Sequence, residues 1–244
     1  MMLLRNGTLV NGEKTDILII NDKIYLMKKE IDVFEAGRIF AEITGEELKV
    51  IDIENKYIMP GVIDVHTHMR DPGFTHKEDF LSGSKACAKA GITTFIDMPN
   101  TNPATVTKEA LELKRKSAGE KSVVNYGFHF GGSSDNNAEE IKKVSGVLST
   151  KVFLNVSTGK MLVEDDKVLE DIVKAANFLT VHAEGEMINK ALEFNKQFGK
   201  GLYVCHVSSR EEMDILIKAK ADKVLNNEGH PVFAEVTPHH LFLD

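Results

Sequence analysis

Cysteine is scarce in this chain: there are two, Cys87 and Cys205, and neither sits in a C-x-x-C pair. Two thiols so placed exclude a disulfide framework, and they fit a reducing compartment better than an extracellular one. No apolar run approaches the ~20 residues that a membrane span needs. The stretch MMLLRNGTLVNGEK has neither a long apolar region nor a small-residue cleavage site, so no signal peptide is expected. Positive charge is not in excess either. Thirty basic residues against 37 acidic ones leave a net charge of −7, with no basic stripe. That balance argues against nucleic acid as a partner and for a small-molecule role. These absences together point to a soluble cytoplasmic protein.

What is present suffices for one large domain, or one domain with a small annex: 244 residues, 42% of them hydrophobic. Two compositional styles divide the chain, giving an expected N-terminal β-rich domain over residues 1–57 and a second domain over 58–244. In the first, short apolar runs alternate with Asn6-Gly7, Asn11-Gly12 and Asn21-Asp22, which read as hairpin turns, and an irregular segment is expected around Ala36 to Gly45. From Val62 onward the pattern is apolar strand, polar loop, amphipathic helix, then strand again. Seven strands read as VIDVHTH, TTFIDMP, VVNYGFHF, KVFLNV, LTVHAE, LYVCHVS and VFAEVT. Helix-like stretches lie between them, the last opening with Ser209 as N-cap. Such alternation implies a parallel sheet with helices outside, and its regularity suggests a (β/α)8 barrel whose last unit is absent.

In a barrel, reactive residues gather at the C-terminal ends of strands. That rule selects His66, His68 and Arg70 after the first strand, Asn100 after the second, His182 on the fifth and His206 on the sixth, and leaves Lys151, at the start of the fourth, as the odd member. Residues i and i+2 of a strand share a face, so His66 and His68 stand side by side, each able to offer a neutral ring nitrogen to a metal. A lone histidine pair is more often a hydrogen-bonded structural feature. Four histidines on three strand ends are hard to explain by packing. Lys151, early in an apolar strand, carries a charge that burial penalises. One reading is a lysine whose head reaches water while its stem packs. The other is a neutral amine that adds carbon dioxide and becomes an anionic carbamate, the bridging charge that four neutral histidines fail to supply to two divalent cations.

Taken together, IDVHTHMRDPG, DMPNTNPAT, TKVFLN, VHAE, CHVSS and AEVTPHHLFLD resemble the amidohydrolase superfamily, specifically dihydroorotases of type I, from about Pro60 to Asp244. The resemblance implies a metal-dependent (β/α)8 barrel with a small β-sandwich built from both chain ends. It implies two zinc ions, the first held by His66 and His68, the second by His182 and His206, with carboxylated Lys151 bridging them. Arg70 and Asn100 match the positions that hold the substrate's carboxylate. The implied reaction is the reversible interconversion of dihydroorotate and N-carbamoyl-L-aspartate in pyrimidine biosynthesis, by a hydroxide shared between two metals.

Two other classes stay open: another cyclic amidohydrolase (hydantoinase, dihydropyrimidinase or allantoinase), and a non-catalytic scaffold of dihydroorotase type. Arg70 separates the first, because substrates without a carboxylate give a guanidinium no partner there. The resemblance leaves open a homodimer and an association with aspartate transcarbamoylase. The family's catalytic aspartate follows an eighth strand, beyond residue 244, and Asp244 itself belongs to the HHLFLD motif. The expectation is therefore a barrel truncated before strand eight and inactive alone. His76 reads as a loop residue, and His129 as a packing or supporting one. His239 and His240 read as lining or supporting the pocket, and Cys205 as a buried cysteine close to a ligand.

Overall fold

Short apolar strands joined at asparagine turns build the first of two units, Met1–Gly61. The computed structural model describes residues 2–157, 161–221 and 231–243. β1 (Met2–Leu9) pairs antiparallel with β2 (Lys14–Ile20), which pairs with β3 (Lys23–Lys28). β4 (Val50–Asp52) and β5 (Tyr57–Ile58) run parallel to β1. Pairing of Tyr57 and Ile58 with β1 keeps them in this unit, so the chain divides after Gly61 rather than after residue 57. The described residues form one mixed sheet with a helix rather than two facing sheets.

Two expectations for this unit are corrected. The segment around Ala36 to Gly45 is helical: α1 spans Val33–Thr44. Asp32 caps it by accepting from Glu35 N–H at 2.8 Å, Gly45 ends it in the left-handed region, and Ala36 and Phe40, one turn apart, bury against Leu3, Leu18 and Ile20. Asn6-Gly7 is a bulge inside β1 rather than a hairpin turn. Asn6 takes φ 57° and gives its N–H to Asp16 Oδ1 at 2.9 Å, and a side chain at Gly7 would collide with Ile58.

The second unit, Val62–Asp244, carries the parallel strands. β6 (Val62–Thr67), β7 (Ile92–Asp97) and β8 (Asn125–Phe128) form one sheet; β9 (Phe130–Gly131), β10 (Thr150–Phe153), β11 (Leu179–His182), β12 (Leu202–Val204) and β13 (Val232–Ala234) form the other. His129 alone separates β8 from β9, so the two sheets share one broken strand and the wall holds the seven strands expected. All pairings in this wall are parallel. Among the described residues no further strand joins β13 to β6.

The helices are α2 (Phe80–Ala90), α3 (Lys108–Lys121), α4 (Ala138–Lys143), α5 (Asp166–Ala175), α6 (Glu186–Phe198), α7 (Arg210–Ala221) and α8 (Pro238–Phe242). At the head of α7, Ser209 Oγ accepts from Glu212 N–H while Glu212 Oε2 accepts from Ser209 N–H, a reciprocal capping box. The core lies between wall and helices. Phe80 of α2 stacks on Phe95 of β7 at 6.1 Å and meets Phe128 of β8 edge-on at 6.3 Å. Each such ring contributes about 1.5–3 kcal/mol by leaving water. None of the described helices is long and apolar enough to cross a membrane.

Candidate metal centre

The strand ends put the selected histidines within reach of one another. β6 carries His66 and delivers His68 just past its last residue, with the two Nε2 atoms 3.3 Å apart. β11 ends on His182, and His206 follows β12. His182 Nδ1 lies 2.8 Å from His206 Nε2, and the rings of His66 and His206 are 5.5 Å apart. Lys151, on β10, is buried at 1% exposure and donates to Cys205 Sγ at 2.8 Å. A cavity of about 480 Å³ opens above, lined by all four histidines and by Glu235 and His240.

Glu235 is the residue that sequence reading missed. It directly follows β13, and its carboxylate touches His66 Nδ1. Strand position was the available signal: the filter that selects the histidines also selects the end of VFAEVT. Asp64 and Glu184 line the cavity too, Asp64 accepting from His66 N–H at 3.0 Å.

Charge is distributed unevenly over the cluster. Burial holds His68 at about 3 and His206 at about 4, with neighbouring cations adding to the effect, and burial also lowers His182. These three rings are neutral near pH 7 and have lone pairs to give. Burial opposes charge on His66 as well, but its hydrogen bonds to Cys205 and Glu235 outweigh it and raise His66 to about 9. Glu235 answers: burial would raise its carboxyl, yet His66, Tyr203 and the His206 N–H bring it down to about 2.

Arg70 and Asn100 do not line the cavity, but both act on His68, Asn100 by contact and Arg70 through its charge. The Asn100 side chain hydrogen-bonds to the imidazole, and the Arg70 charge depresses its pKa. Arg70 itself sits at φ 58° and His206 at φ 39°, left-handed conformations that side chains of this size rarely take. His129 is buried. Its Nε2 faces Val65 O at 2.8 Å and its Nδ1 faces Ser149 Oγ at 2.8 Å, so it braces the backbone one residue before His66. His76 is an exposed loop residue against Phe74, and His239 lines the cavity beside His240. Asp244 lies outside the described residues.

The donor set fits a divalent metal. Two nitrogens about 2.0–2.1 Å from a tetrahedral zinc ion stand ~3.3–3.4 Å apart, and the His66 and His68 Nε2 atoms are 3.3 Å apart. The His182–His206 pair, at 2.8 Å, is at hydrogen-bond length and must open by roughly half an ångström to share an ion. Imidazole donors suit zinc and other first-row metals.

The Amidohydrolase family, compared as a sequence model, matches residues 57–235. A dihydroorotase of Methanosphaera stadtmanae is 33% identical, over 100% of this chain and 60% of the relative. The multifunctional protein CAD of Squalus acanthias is 35% identical over 76% of this chain and 8% of its own length. Among solved structures, an L-hydantoinase (dihydropyrimidinase) from Arthrobacter aurescens overlays with a TM-score of 0.83 at 27% identity, covering 98% of this chain and 58% of that one. The chain thus spans about 60% of the length of the full-length dihydroorotase it matches.

Proposed function

This chain belongs to the amidohydrolase family, and from that premise we propose that the protein is a dihydroorotase, interconverting dihydroorotate and N-carbamoyl-L-aspartate. The seven-stranded wall is read as part of a metal-dependent (β/α)8 barrel, and residues 62–244 as its catalytic domain. His66 and His68 would hold one zinc ion and His182 and His206 a second. Lys151 would bridge them: its amine adds carbon dioxide through a new N–C bond and gives up a proton, leaving an anionic carbamate. When bound, zinc supplies Lewis acidity toward an amide carbonyl.

The observation that carries dihydroorotate in particular is the pair Arg70 and Asn100 at His68. A guanidinium grips both oxygens of a carboxylate, and an amide N–H adds a directional donor. Placed beside a metal-ligating imidazole, this pair orients a ring bearing a carboxylate so that its amide faces the histidine cluster. Glu184, Ser208 and the two histidines of α8 also line the cavity. The match to part of a multifunctional protein supports an association with other enzymes of pyrimidine synthesis.

The overlay on an L-hydantoinase favours a second reading, hydrolysis of uncharged cyclic ureides. Rates of the zinc-loaded longest natural gene product on dihydroorotate, hydantoin and dihydrouracil separate the two. Dihydroorotate is expected to be preferred by orders of magnitude. Equal or faster turnover of the rings lacking a carboxylate would replace dihydroorotase with hydantoinase.

A further inference from the structure

Glu235 and His66 are 169 residues apart in sequence, on β13 and β6, yet their side chains meet. Both oxygens of the Glu235 carboxylate are engaged. Oε1 meets His66 Nδ1 and accepts from the His206 backbone N–H at 3.3 Å, while Oε2 accepts from the Tyr203 hydroxyl at 2.7 Å. The glutamate side chain is only 15% exposed, so these contacts stand in a partly dry setting. An ionised carboxylate can only accept, which obliges His66 Nδ1 to be the donor. The lone pair of a neutral His66 then resides on Nε2, the atom 3.3 Å from His68 Nε2.

We propose that Glu235 is the positioning residue of the centre, fixing His66 in the tautomer and ring orientation that present Nε2 to the first metal. The proposal rests on the metal-site reading given above. The carboxylate does three jobs at once. It sets the His66 tautomer, it holds the backbone of His206, a ligand of the other metal, and it is itself held by Tyr203 from β12. The two metal positions are thereby tied to one another through a single side chain. Outer carboxylates of this kind raise the basicity of a ligating imidazole, and losing one costs ten- to a hundredfold in metal affinity.

A competing arrangement uses the same atoms differently. Donor atoms of His66, Cys205 and Glu235 lie within 4.8 Å of one another, so Glu235 could ligate directly. Titration of metal-free protein with Co2+, followed by the visible d–d absorption at pH 8, distinguishes these roles. The comparison takes the parent, Glu235→Gln and Tyr203→Phe, with thermal unfolding of each metal-free protein as the folding control. The expected result is a parent that binds Co2+, a Glu235→Gln variant ten- to a hundredfold weaker for the first ion, and a Tyr203→Phe variant weakened less. At saturation each variant should show the parent's spectrum, because the ligands are the same. An unchanged affinity in Glu235→Gln overturns the positioning role while leaving the metal site standing. A changed spectrum at saturation also overturns it, by making Glu235 a ligand. If Glu235→Gln does not fold, Tyr203→Phe decides, and full affinity there counts against the proposal. A parent that takes up no Co2+ removes the metal-site reading itself.

Discussion

Lys151 Nζ stands 2.8 Å from Cys205 Sγ, and both side chains are sealed from solvent. Among the described residues no carboxylate forms an ion pair with Lys151. An ammonium there has no carboxylate partner among the described residues, whereas a carbamate on the same nitrogen would bring negative charge and two oxygens to the ions proposed for His66, His68, His182 and His206. Lys151→Ala should therefore lose at least one metal per chain. Short carboxylic acids in the medium should restore part of the loss by supplying the missing anion. Metal analysis after gel filtration checks this, and full occupancy in the alanine variant would remove the carbamate.

Arg70→Met should separate binding of metal from binding of substrate. Arg70 is not among the proposed ligands, so metal content is expected to stay at the parent's level. A charge-assisted hydrogen bond contributes ~1.5–3 kcal/mol. Loss of the clamp should lower kcat/KM for dihydroorotate by roughly 10- to 10²-fold, with hydantoin turnover little changed. Parent-like kinetics on dihydroorotate would mean the carboxylate is held elsewhere.

Lys114 and Asp97 form an ion pair 2.6 Å long with neither side chain exposed. Burial pushes the Asp97 carboxyl upward against the pull of Lys114, and Asp97 Oδ1 accepts from Met69 N–H at 2.7 Å, between His68 and Arg70. Lys114 Nζ also donates to Met98 O at 2.6 Å. Lys114→Met leaves a buried carboxylate with no cation, so a loss of about 3–5 kcal/mol in urea unfolding is expected. A change within experimental error would show that Asp97 is already neutral in the fold.

His129 sets an acid limit on stability. Burial, the largest cause, holds it at about 4 against an ordinary 6.5, with Lys151 and His66 adding to the effect. Its folded pKa lies below the unfolded one, so the unfolded chain takes up the proton first. Stability is full above pH 6.5 and falls as pH drops toward 4, by ~3 kcal/mol in total. His129→Gln, which keeps a donor for Val65 O, should flatten that limb. An unfolding profile that declines equally in the parent and the glutamine variant would assign the loss to other groups.

The parallel wall was legible because its signals are local. Apolar runs broken by polar loops mark the strands, and strand ends then select His66, His68, His182 and His206 by position, while Lys151 stands out as a charge at the start of an apolar strand. Other features depend on partners distant in the chain. Lys114 lies in the charged run ELKRKS, and only its packing against Asp97 reveals a buried cation. A single glutamate after a strand is common, and Glu235 takes its meaning only from His66 on β6. α1 is hard to read locally because Gly37 interrupts it, and Ala36 and Phe40 become a buried face only when Leu3 and Leu18 stand opposite. The Asn6-Gly7 bulge looks like a turn for the same reason a turn would choose those residues: both use a left-handed asparagine.

Anomalous diffraction at the zinc edge, from crystals of zinc-loaded protein, bears most directly on the central claim. Two peaks per chain are expected. One should be bound by the Nε2 atoms of His66 and His68, the other by His182 and His206, with added density on Lys151 Nζ between them. No peak among these four histidines in protein that carries stoichiometric zinc would contradict it.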